Sequence, residues 1–557
     1  MPRPRGRFLD DYVRQKSTEI FGGGGKQYLA IEFHINLEDS MKQSFEHYQR
    51  LRKEMDQWLD QSRRMDPPSR HGGGEDEANY SLAWFPHYLV TGNDGIREHF
   101  EYLRDMQAGW VERDCFHGYE KKAEAHHGTE PFLLFLPRYL GQFPDDEKAK
   151  VLLEDATEHI GNWVDEIPEW FDWENNHFHG FHIGTEVVRK SEGHYCETGE
   201  HFRFLHMALA AHRTTGNDRY LDWALQYGRR RAELLASAPD GRLPVAWNAS
   251  GEPLYADFDA KDKKQYQGAG HHAPGDPLAG VELMLASGAI YVLGDLYQES
   301  GEAVFQDAAR RIAEPLVEHL QDPYSDPGSA AISYYRQVFG DDSMDADIRA
   351  QVERFADFQE GELAMVFPQV RRRDWSGIGK RKDMTYWGIW NGDGSVTATT
   401  EPSTAALTLA YEVTGDEVHV ERALKQAADK LGMARRVLRG GREHADMGGA
   451  VCSAAAGHGR NWGIGAVTGC YGPLLLGTRE VKSKVTGAVE VKQADGQLGV
   501  PDLVMSLVMH SGTAVDGVKF YNGGDSDATF SWRFEGNGWQ EETVSAGEIV
   551  ERQGVVA

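Results

Sequence analysis

The chain has 557 residues, of which 40% are hydrophobic and 26% charged, and these proportions are typical of a globular protein rather than a disordered, collagen-like or coiled-coil one. Its 59 Lys and Arg residues against 87 Asp and Glu residues give a formal net charge of −28. That charge argues against nonspecific binding to nucleic acid or to an anionic membrane surface. The four cysteines form no CxxC pair, so their spacing indicates neither a disulfide scaffold nor a zinc ribbon.

The compartment can be predicted only from what the sequence contains. No apolar stretch reaches the roughly 18 residues that a membrane-spanning helix needs. The basic start, residues 1–8, is not followed by the apolar core of a secretory signal. The sequence as it stands therefore predicts a cytoplasmic protein, and a periplasmic or secreted one if a leader has been removed. We expect no membrane or nucleic-acid partner, and a homo-oligomer remains open.

The N-terminal part differs in pattern from the rest of the chain. Residues 29–34 alternate as in a short strand, and residues 37–65 have the composition of a long polar helix. Residues 66–77 are rich in Pro, Gly and charge, which is typical of a linker. We therefore predict an N-terminal extension over residues 1–78.

Four segments share one pattern, in which an apolar helical stretch is followed by Thr-Gly or Ser-Gly, an acidic or amide residue, and an amphipathic stretch. The shared glycines are Gly92, Gly216, Gly301 and Gly415. Glycine ends a helix by taking the left-handed conformation, and Asn or Asp can cap the next helix, so the pattern predicts helical hairpins. The glycines are irregularly spaced, which predicts long loops between the hairpins, at 185–200, 241–280, 323–345, 358–402 and 441–470.

This succession of hairpins resembles the (α/α) toroid of carbohydrate-active enzymes over roughly residues 80–475. In that family of folds, inner and outer helices alternate around a complete or incomplete ring, and loops at one end form the substrate groove. The resemblance implies a mainly α catalytic domain over residues 79–478. It does not select a reaction, because polysaccharide lyases, unsaturated-uronate hydrolases, other glycosidases and sugar epimerases share the ring.

The last 79 residues change period. Apolar residues alternate with polar ones in short runs from about residue 479, and Asn-Gly, Gly-Gly and Gly-Asn-Gly separate the runs. This punctuation is typical of β-hairpins. We therefore predict a small C-terminal antiparallel β domain over residues 479–557.

Histidines are concentrated just before the second repeat. His177, His179 and His182 form the pattern H-x-H-x-x-H, with Glu186 four residues later. Alternating histidines on a strand or a bent loop can converge on a metal ion, so a divalent zinc or calcium site is one interpretation. The other is a set of hydrogen-bonded histidines beside the groove, with no cofactor required.

The next segment holds the candidate catalytic residues His194, Tyr195, Glu197 and His201, followed by Arg203. Glu197 and His201 are four residues apart, which would place both on one face of a helix that begins here. The alternative interpretation is structural, because carboxylates are common in the first turn of a helix, where they stabilise its positive end.

Further clusters supply candidate catalytic or substrate-binding residues. They are His126, His127 and Glu130 before an apolar helix, His271 and His272 on a glycine-rich loop, Arg373 with Trp387 and Trp390, and Arg460 with Asn461. Arginine forks suit carboxylates and sulfates, and indole faces suit sugar rings. The Arg- and Trp-rich segment therefore predicts a sugar-binding subsite, with an exposed charged loop as the alternative.

Cleavage beside a uronic acid by β-elimination needs a neutralised carboxylate, a base for the C5 proton and an acid for the leaving oxygen. The resemblance implies Tyr and His for proton transfer and Asn, Arg, His or a metal ion as neutraliser. The proton-transfer candidates are His194 or Tyr195 on one side and His126 or His127 across the groove. Arg203, Arg460 or Asn461 would neutralise the carboxylate. We therefore expect a lyase acting on a uronic-acid-containing poly- or oligosaccharide.

Glycoside hydrolysis is the alternative, and it needs two carboxyl groups that flank the scissile bond. The candidates for that pair are Glu130, Glu186, Glu197, Glu200 and Asp393. The resemblance makes glucuronides or unsaturated uronides the expected substrates of such a hydrolase. A sugar epimerase and a glycan-binding protein are third interpretations.

Overall fold

The structure is a computed structural model. It describes residues 26–63, 81–133, 135–188, 190, 195–239, 242–256, 278–322, 326–366, 372–373, 380–381, 386–437, 454–456 and 462–554. The predicted linker over residues 66–77 lies outside these ranges.

A single long helix, α1 (Lys26–Ser62), forms the N-terminal part. It includes residues 29–34, so the prediction of a strand there is wrong. Residues 26–62 contain neither Gly nor Pro, and nothing in that stretch interrupts a helix. Tyr48, Leu51, Met55 and Trp58 are buried on one side of α1.

Most helices follow one another along the chain in groups of two or three, and the repeat glycines lie at four of the turns within these groups. They are α2 (Trp84–Thr91) and α3 (Asp94–Asp114), α4 (Ala125–Leu133), α5 (Leu136–Gln142) and α6 (Glu147–Thr157), α7 (Phe202–Thr215) and α8 (Asp218–Ala236), α9 (Ala279–Ala286), α10 (Ala289–Ser300) and α11 (Ala303–Ala313), α12 (Asp326–Phe339) and α13 (Asp345–Val352), α14 (Thr404–Thr414) and α15 (Val418–Val437), and α16 (Tyr471–Leu476). One 3₁₀ turn precedes α7 (Gly199–His201), and a 3₁₀ helix of two turns follows α11 (Glu314–His319).

The helices form a ring. Going around it, α3 packs on α6, α6 on α7, α8 on α11, α10 on α12, and α12 on α14. The ring closes because α16 contacts both α15 and α2, while α1 packs along the outside of α15. The prediction of an (α/α) toroid is therefore confirmed.

Burial separates inner from outer helices. In α7 and α14 nearly every residue is buried, as expected for helices surrounded by others. In α11 the buried residues are instead Phe305, Ala308, Ala309, Ile312 and Ala313, which form one stripe at helical spacing. The alternation of fully buried and one-sided helices is thus already visible in the sequence periodicity.

The four repeat glycines end four inner helices. Gly92, Gly216, Gly301 and Gly415 have φ of 62°, 71°, 70° and 74°, and each N–H donates to the carbonyl four residues earlier. The side chains of Asn93 and Asn217 then accept hydrogen bonds from the backbone of the following helices. The predicted hairpin turns are therefore confirmed in conformation as well as position.

Two of these glycines should respond differently to substitution. Gly216→Ala is expected to cost about 1–2 kcal/mol, because alanine disfavours the left-handed conformation and no described atom lies within 4 Å of the added Cβ. Gly92→Ala should cost a further 1–3 kcal/mol or so, because its Cβ would overlap the carbonyl oxygen of Leu498. Urea unfolding of both variants measures the difference, and equal losses would contradict the close approach at Gly92.

One predicted loop is a helix. The spacing of the repeats predicts a loop over residues 323–345, but α12 occupies most of the segment. Proline suits the first turn of a helix, where its missing N–H has no partner to lose. The Asp-Pro pair at 326–327 therefore marks a helix start rather than a loop.

Short antiparallel ladders occupy the loops between the helices. They are β1 (Ala123–Glu124) with β4 (His182–Ile183), β2 (Phe171–Asp172) with β3 (His177–Phe178), β6 (Ala246–Asn248) between β5 (Tyr195–Thr198) and β7 (Pro253–Leu254), β11 (Tyr386–Trp390) between β8 (Glu362–Val366) and β12 (Val396–Ala398), and β9 (Arg372–Arg373) with β10 (Lys380–Arg381).

The C-terminal part is the predicted antiparallel β domain. A hairpin of β13 (Arg479–Val481) and β14 (Lys484–Thr486) is followed by two three-stranded sheets. One has the order β15 (Val489–Gln493), β18 (Ala528–Phe534), β19 (Gln540–Val544), and the other β16 (Val504–Ser511), β17 (Ala514–Asn522), β20 (Ile549–Gln553). Phe520 of one sheet packs against Phe530 and Trp532 of the other, which makes a small sandwich.

The β domain covers one end of the ring. Near the C-terminus of α12, Arg336 donates to the carbonyl of Gly512 at 3.2 Å, and near the C-terminus of α7, Arg213 donates to the carbonyl of Lys482 at 2.6 Å. Lys482 also pairs with Glu299 in the last turn of α10. The C-terminal ends of the inner helices therefore face the β domain, and their N-terminal ends lie at the other end of the ring.

No described helix alone is both long enough and apolar enough to cross a membrane. The pair α9 and α10, bent by 63°, meets the length and composition criteria only when taken together.

Candidate functional site

The N-terminal ends of the inner helices form the candidate site. The long loops and the short ladders β5–β7 and β8–β12 directly precede α7, α9 and α14, so they lie at this end of the ring. The positive ends of the helix dipoles also point here, which favours anionic groups. Both properties suit a site for a charged polar ligand.

Glu197, a predicted catalytic residue, lies at the centre of a buried network. Its Oε1 accepts from the backbone N–H of Phe178 at 3.0 Å and from the hydroxyl of Tyr227 at 2.9 Å. Its Oε2 accepts from Arg230 at 2.6 Å and from Arg231 at 3.2 Å. Burial raises the pKa of this carboxyl, but the two guanidinium groups outweigh burial and bring it to about 2. The carboxylate is thus held ionised with its surface covered by protein donors.

His201 does not share a helical face with Glu197. Glu197 lies in strand β5, which ends at Thr198, and His201 lies in the 3₁₀ turn that follows. The backbone N–H of Thr198 donates to Nδ1 of His201 at 3.0 Å, and burial lowers the pKa of the imidazole to about 4. The predicted shared helical face does not form, because Thr198 is the N-cap and the turn begins only after it. Glu197 therefore still belongs to the strand.

Arg203 and Tyr195 flank this network. Arg203 is fully buried and donates to the carbonyl of Ala286 at 2.9 Å, at the C-terminal end of α9. Tyr195 is half-buried at the start of β5 and packs against a small apolar cluster that contains Val245 and Leu283. Their suggested roles in neutralisation and proton transfer stay predictions.

The histidines of the H-x-H-x-x-H pattern do not converge on one point. His177 lies in β3, with Nε2 3.6 Å from a carboxylate oxygen of Asp172. His182 lies in β4, with Nε2 3.8 Å from an oxygen of Glu124. The rings of His177 and His179 are 6.3 Å apart and perpendicular. Each histidine therefore has its own surroundings, and within the described chain the structure does not gather the three around a metal position.

Several predicted site residues cannot be placed in the candidate site. His194, His271, His272, Arg460 and Asn461 lie outside the described residues, as do the side chains of His126, His127 and Glu130 within α4 and of Arg373 within β9. Their suggested roles stay predictions.

Trp387 and Trp390 both lie in β11 and differ in exposure. Trp387 is buried, and its ring lies 5.8 Å from Nζ of Lys430. Trp390 is 43% exposed and could stack on a ligand. The predicted sugar-binding segment therefore contributes one indole that covers Lys430 and one that is exposed at this end of the ring.

An acidic residue that the sequence did not single out starts the inner helix α12. Oδ1 of Asp326 accepts from the hydroxyl of Thr404 at 3.1 Å and from the backbone N–H of Ala405 at 3.0 Å, both at the start of α14. Asp326 is only partly buried. Its carboxylate is thus oriented by two donors while part of its surface is still accessible.

A buried lysine lies beside Asp326. Lys430 of α15 is 4% exposed and donates to the side chain of Gln426 at 2.9 Å. The pKa of its amine is lowered, because burial outweighs the opposing effect of the carboxylates of Asp326 and Glu401. Glu401 accepts in turn from the backbone N–H of Gln359 at 3.0 Å. One amine and two carboxylates therefore meet where α12, α14 and α15 come together.

Two further carboxyl groups lie at neighbouring helix starts. Glu200 is in the 3₁₀ turn before α7, and Glu282 is in the first turn of α9; both are buried. The 3₁₀ turn packs against α9, and α9 packs against α12. Glu200, Glu282 and Asp326 thus follow one another around the same end of the ring.

The sequence contains signals for the two residues that it did not single out. Asp326 directly precedes Pro327, a combination that marks the start of a helix. Lys430 lies on the apolar face of α15, three residues after Ala427 and four before Ala434. A lysine on such a face is rarely buried without a functional or electrostatic reason.

A cavity of about 100 Å³ lies inside the ring. Ala330 and Ala405, near the starts of α12 and α14, are among its lining residues, together with Tyr334, Trp462 and Glu480. Glu480 belongs to the β13–β14 hairpin, so the β domain closes the ring from its far side. The hairpin therefore bounds this cavity on the side of the β domain.

No known protein-family model matches this chain, and no curated protein sequence does. Solved structures to which it is similar include an unsaturated glucuronyl hydrolase responsible for the degradation of glycosaminoglycan, from a Bacillus species. The two are 14% identical, and the match covers 72% of this chain and 97% of that one, with a TM-score of 0.40. Another is a possible member of the GH105 family from Salmonella enterica serovar Paratyphi A, at 13% identity over 65% and 85% of the chains, with a TM-score of 0.33.

Proposed function

We propose that this protein is a carbohydrate-active enzyme that hydrolyses a uronic-acid residue from the end of an oligosaccharide. The observation that carries the proposal is the partly accessible carboxylate of Asp326, fixed by Thr404 and Ala405 at the loop-bearing end of the ring. Glu200 and Glu282 supply further carboxyl groups at neighbouring helix starts. Glycoside hydrolysis needs such a pair of carboxyl groups on either side of the scissile bond.

In this proposal Asp326 is the base or nucleophile of the pair. Thr404 and Ala405 hold its Oδ1 in one orientation through two hydrogen bonds, and Lys430 lies beside it. Asp326 would activate a water molecule or attack the sugar, while Glu200 or Glu282 donates a proton to the departing oxygen.

Selection of a uronic acid would come from positive charge at the same place. Lys430 lies beside Asp326 and Glu401, and Trp387 covers it. A bound uronate carboxylate near this amine would favour its charged form and oppose the effect of burial. The exposed ring of Trp390 offers a stacking surface for the next sugar.

Closure of the ring favours action at a chain end. Because the hairpin β13–β14 lies at the far side and is tied to α5 by the pair of Glu480 and Arg138, we expect the β domain to hinder passage of a long polysaccharide through the ring. A terminal residue can enter from the loop-bearing end, with the rest of the chain outside. Short oligosaccharides with a uronic acid at one end, including unsaturated uronides, are therefore the expected substrates.

The test is to follow ultraviolet absorbance during incubation with uronate-containing polysaccharides and with their unsaturated oligomers. Hydrolysis of an unsaturated uronide removes the conjugated band, and this decay is the expected result. Growth of the band on intact polymer would instead establish β-elimination by a lyase and would overturn the proposal of hydrolysis. No change in the band together with no new reducing ends would overturn both.

Asp326→Asn is expected to lower kcat by at least about 100-fold, because the amide can keep the bonds to Thr404 and Ala405 but can neither ionise nor accept a proton. The melting temperature should change little. The matched control is Asp222→Asn, which removes an exposed carboxylate from the outer helix α8 and should leave kcat unchanged. Activity of Asp326→Asn within a few-fold of the unaltered protein would remove Asp326 from the mechanism.

A further inference from the structure

We propose that His117, Asp155 and His159 bind one divalent transition-metal ion, for which zinc is the probe. Each of the three offers one ligand atom, and these atoms all lie within 4.8 Å of one another. In the part of the chain that the structure describes, no other group of three His, Cys, Asp or Glu side chains meets this condition. The site is independent of the carbohydrate chemistry proposed above.

The three side chains face one another closely. Nδ1 of His117 is 2.8 Å from Oδ1 of Asp155, and the rings of His117 and His159 are 4.7 Å apart at an angle of 64°. Asp155 lies in the last turn of α6, and His159 follows directly after the C-cap Glu158. Small side-chain movements would bring all three to one ion.

His159 is the observation that points to a ligand. It is 1% exposed, and neither of its ring nitrogens has a hydrogen-bond partner among the described residues. A buried polar group without a partner is unfavourable and uncommon. A metal ion between His159 and the other two residues would satisfy one of these nitrogens.

The backbone holds His117 in position before any ion binds. Phe116 and Tyr119 exchange two backbone hydrogen bonds, of 3.0 and 3.1 Å, around a two-residue turn in which His117 and Gly118 have φ of 52° and 82°. The hydroxyl of Tyr119 donates to the carbonyl of Ala156 at 3.0 Å, which ties the turn to α6. The turn and the helix are thus fixed relative to each other, and less conformational freedom is lost on binding.

The donor set selects the class of ion. Two imidazole nitrogens and one carboxylate oxygen suit zinc and neighbouring first-row metals, whereas calcium and magnesium prefer oxygen ligands. His117 and Asp155 are 24% and 40% exposed in their side chains, so an ion can enter from solvent. The open side also leaves a coordination position for water. The ion would clamp the turn at residues 116–119 to α6.

The test is calorimetric titration of chelator-treated, full-length protein with zinc. We expect the unaltered protein to bind one more equivalent of zinc than Asp155→Asn or His117→Asn, or to bind it at least tenfold more tightly. Asparagine keeps the size of Asp155, and it tolerates the positive φ at His117, so both variants should fold. His319→Gln, which removes a histidine from another part of the surface, should bind zinc like the unaltered protein.

Two further measurements make the outcome decisive. Zinc should raise the melting temperature of the unaltered protein up to one equivalent and should leave that of Asp155→Asn unchanged. Cobalt should give the visible absorption of a four-coordinate site in the unaltered protein and not in His159→Gln. Identical zinc stoichiometry and affinity in the unaltered protein and in both asparagine variants would overturn the proposal.

Discussion

Glu197→Gln is expected to lower the free energy of unfolding by about 3–5 kcal/mol, because it leaves the buried guanidinium of Arg231 and the partly buried one of Arg230 without their counter-charge. Arg231 is buried between the rings of Trp247 and Phe202, with its Cζ 4.3 and 5.1 Å from their centres. It also donates to the carbonyl of Thr198 at 2.8 Å. Arg231 cannot reach water without opening this packing. Water therefore does not compensate for the lost carboxylate charge, and the free energy of unfolding falls.

The chain offers a matched control on the same helix. Arg229 precedes Arg230 and Arg231 directly and pairs with Glu302 through two hydrogen bonds of 2.7 and 2.6 Å. That pair is partly exposed, with side-chain exposures of 43% and 34%. Glu302→Gln should therefore cost less than about 1 kcal/mol. Equal losses for Glu197→Gln and Glu302→Gln in urea unfolding would contradict the buried network.

The same network predicts part of the acid sensitivity. Burial raises the pKa of Glu197, but Arg231 and Arg230 lower it to about 2, below the 4.5 of an ordinary glutamate. A carboxyl with a depressed pKa stabilises the fold above its unfolded pKa, and that contribution is lost as pH falls toward the folded value. The difference in stability between the unaltered protein and Glu197→Gln should therefore be largest above pH 4.5 and shrink between pH 4.5 and 2.

The ring could be predicted from sequence because its determinants are local. A helix-ending glycine followed by a capping residue, as at Gly92 and Asn93, requires only neighbouring backbone atoms. The short alternating runs and the glycine-containing turns after residue 479 are also local signals. The prediction of a loop over residues 323–345 was wrong because it relied on the spacing of the repeats, whereas the local Asp-Pro pair at 326–327 marks the start of a helix.

The site was harder to predict because its residues acquire their surroundings from distant parts of the chain. Glu197 meets arginines 33 and 34 residues later, and Asp326 is held by a helix 78 residues away. Spacing within one segment cannot reveal such partners. The H-x-H-x-x-H pattern likewise predicts a metal site from spacing alone. In the structure, β3 and β4 place His177 and His182 beside different acids.

Glu480 connects the β domain to the centre of the ring. Nη2 of Arg138, in α5, donates to both carboxylate oxygens of Glu480 at 2.9 Å, and the indole N–H of Trp462 donates to one of them at 3.1 Å. Arg138 also lies over the ring of Trp462, 5.3 Å from its centre. Both members of the ion pair are almost completely buried. The hairpin β13–β14 is thus anchored through one carboxylate.

Glu480→Ala is therefore expected to cost about 3–5 kcal/mol, because it leaves Arg138 charged and buried and removes the acceptor of Trp462. The control is Glu535→Ala, which breaks the partly exposed pair with Arg479 in the same hairpin and should cost less than about 1 kcal/mol. Denaturant unfolding followed by tryptophan fluorescence compares the two. If Glu480 anchors the hairpin as described, Glu480→Ala should also accelerate proteolysis within residues 479–486. If Glu480→Ala is instead as stable as Glu535→Ala, the hairpin is held in place by packing alone.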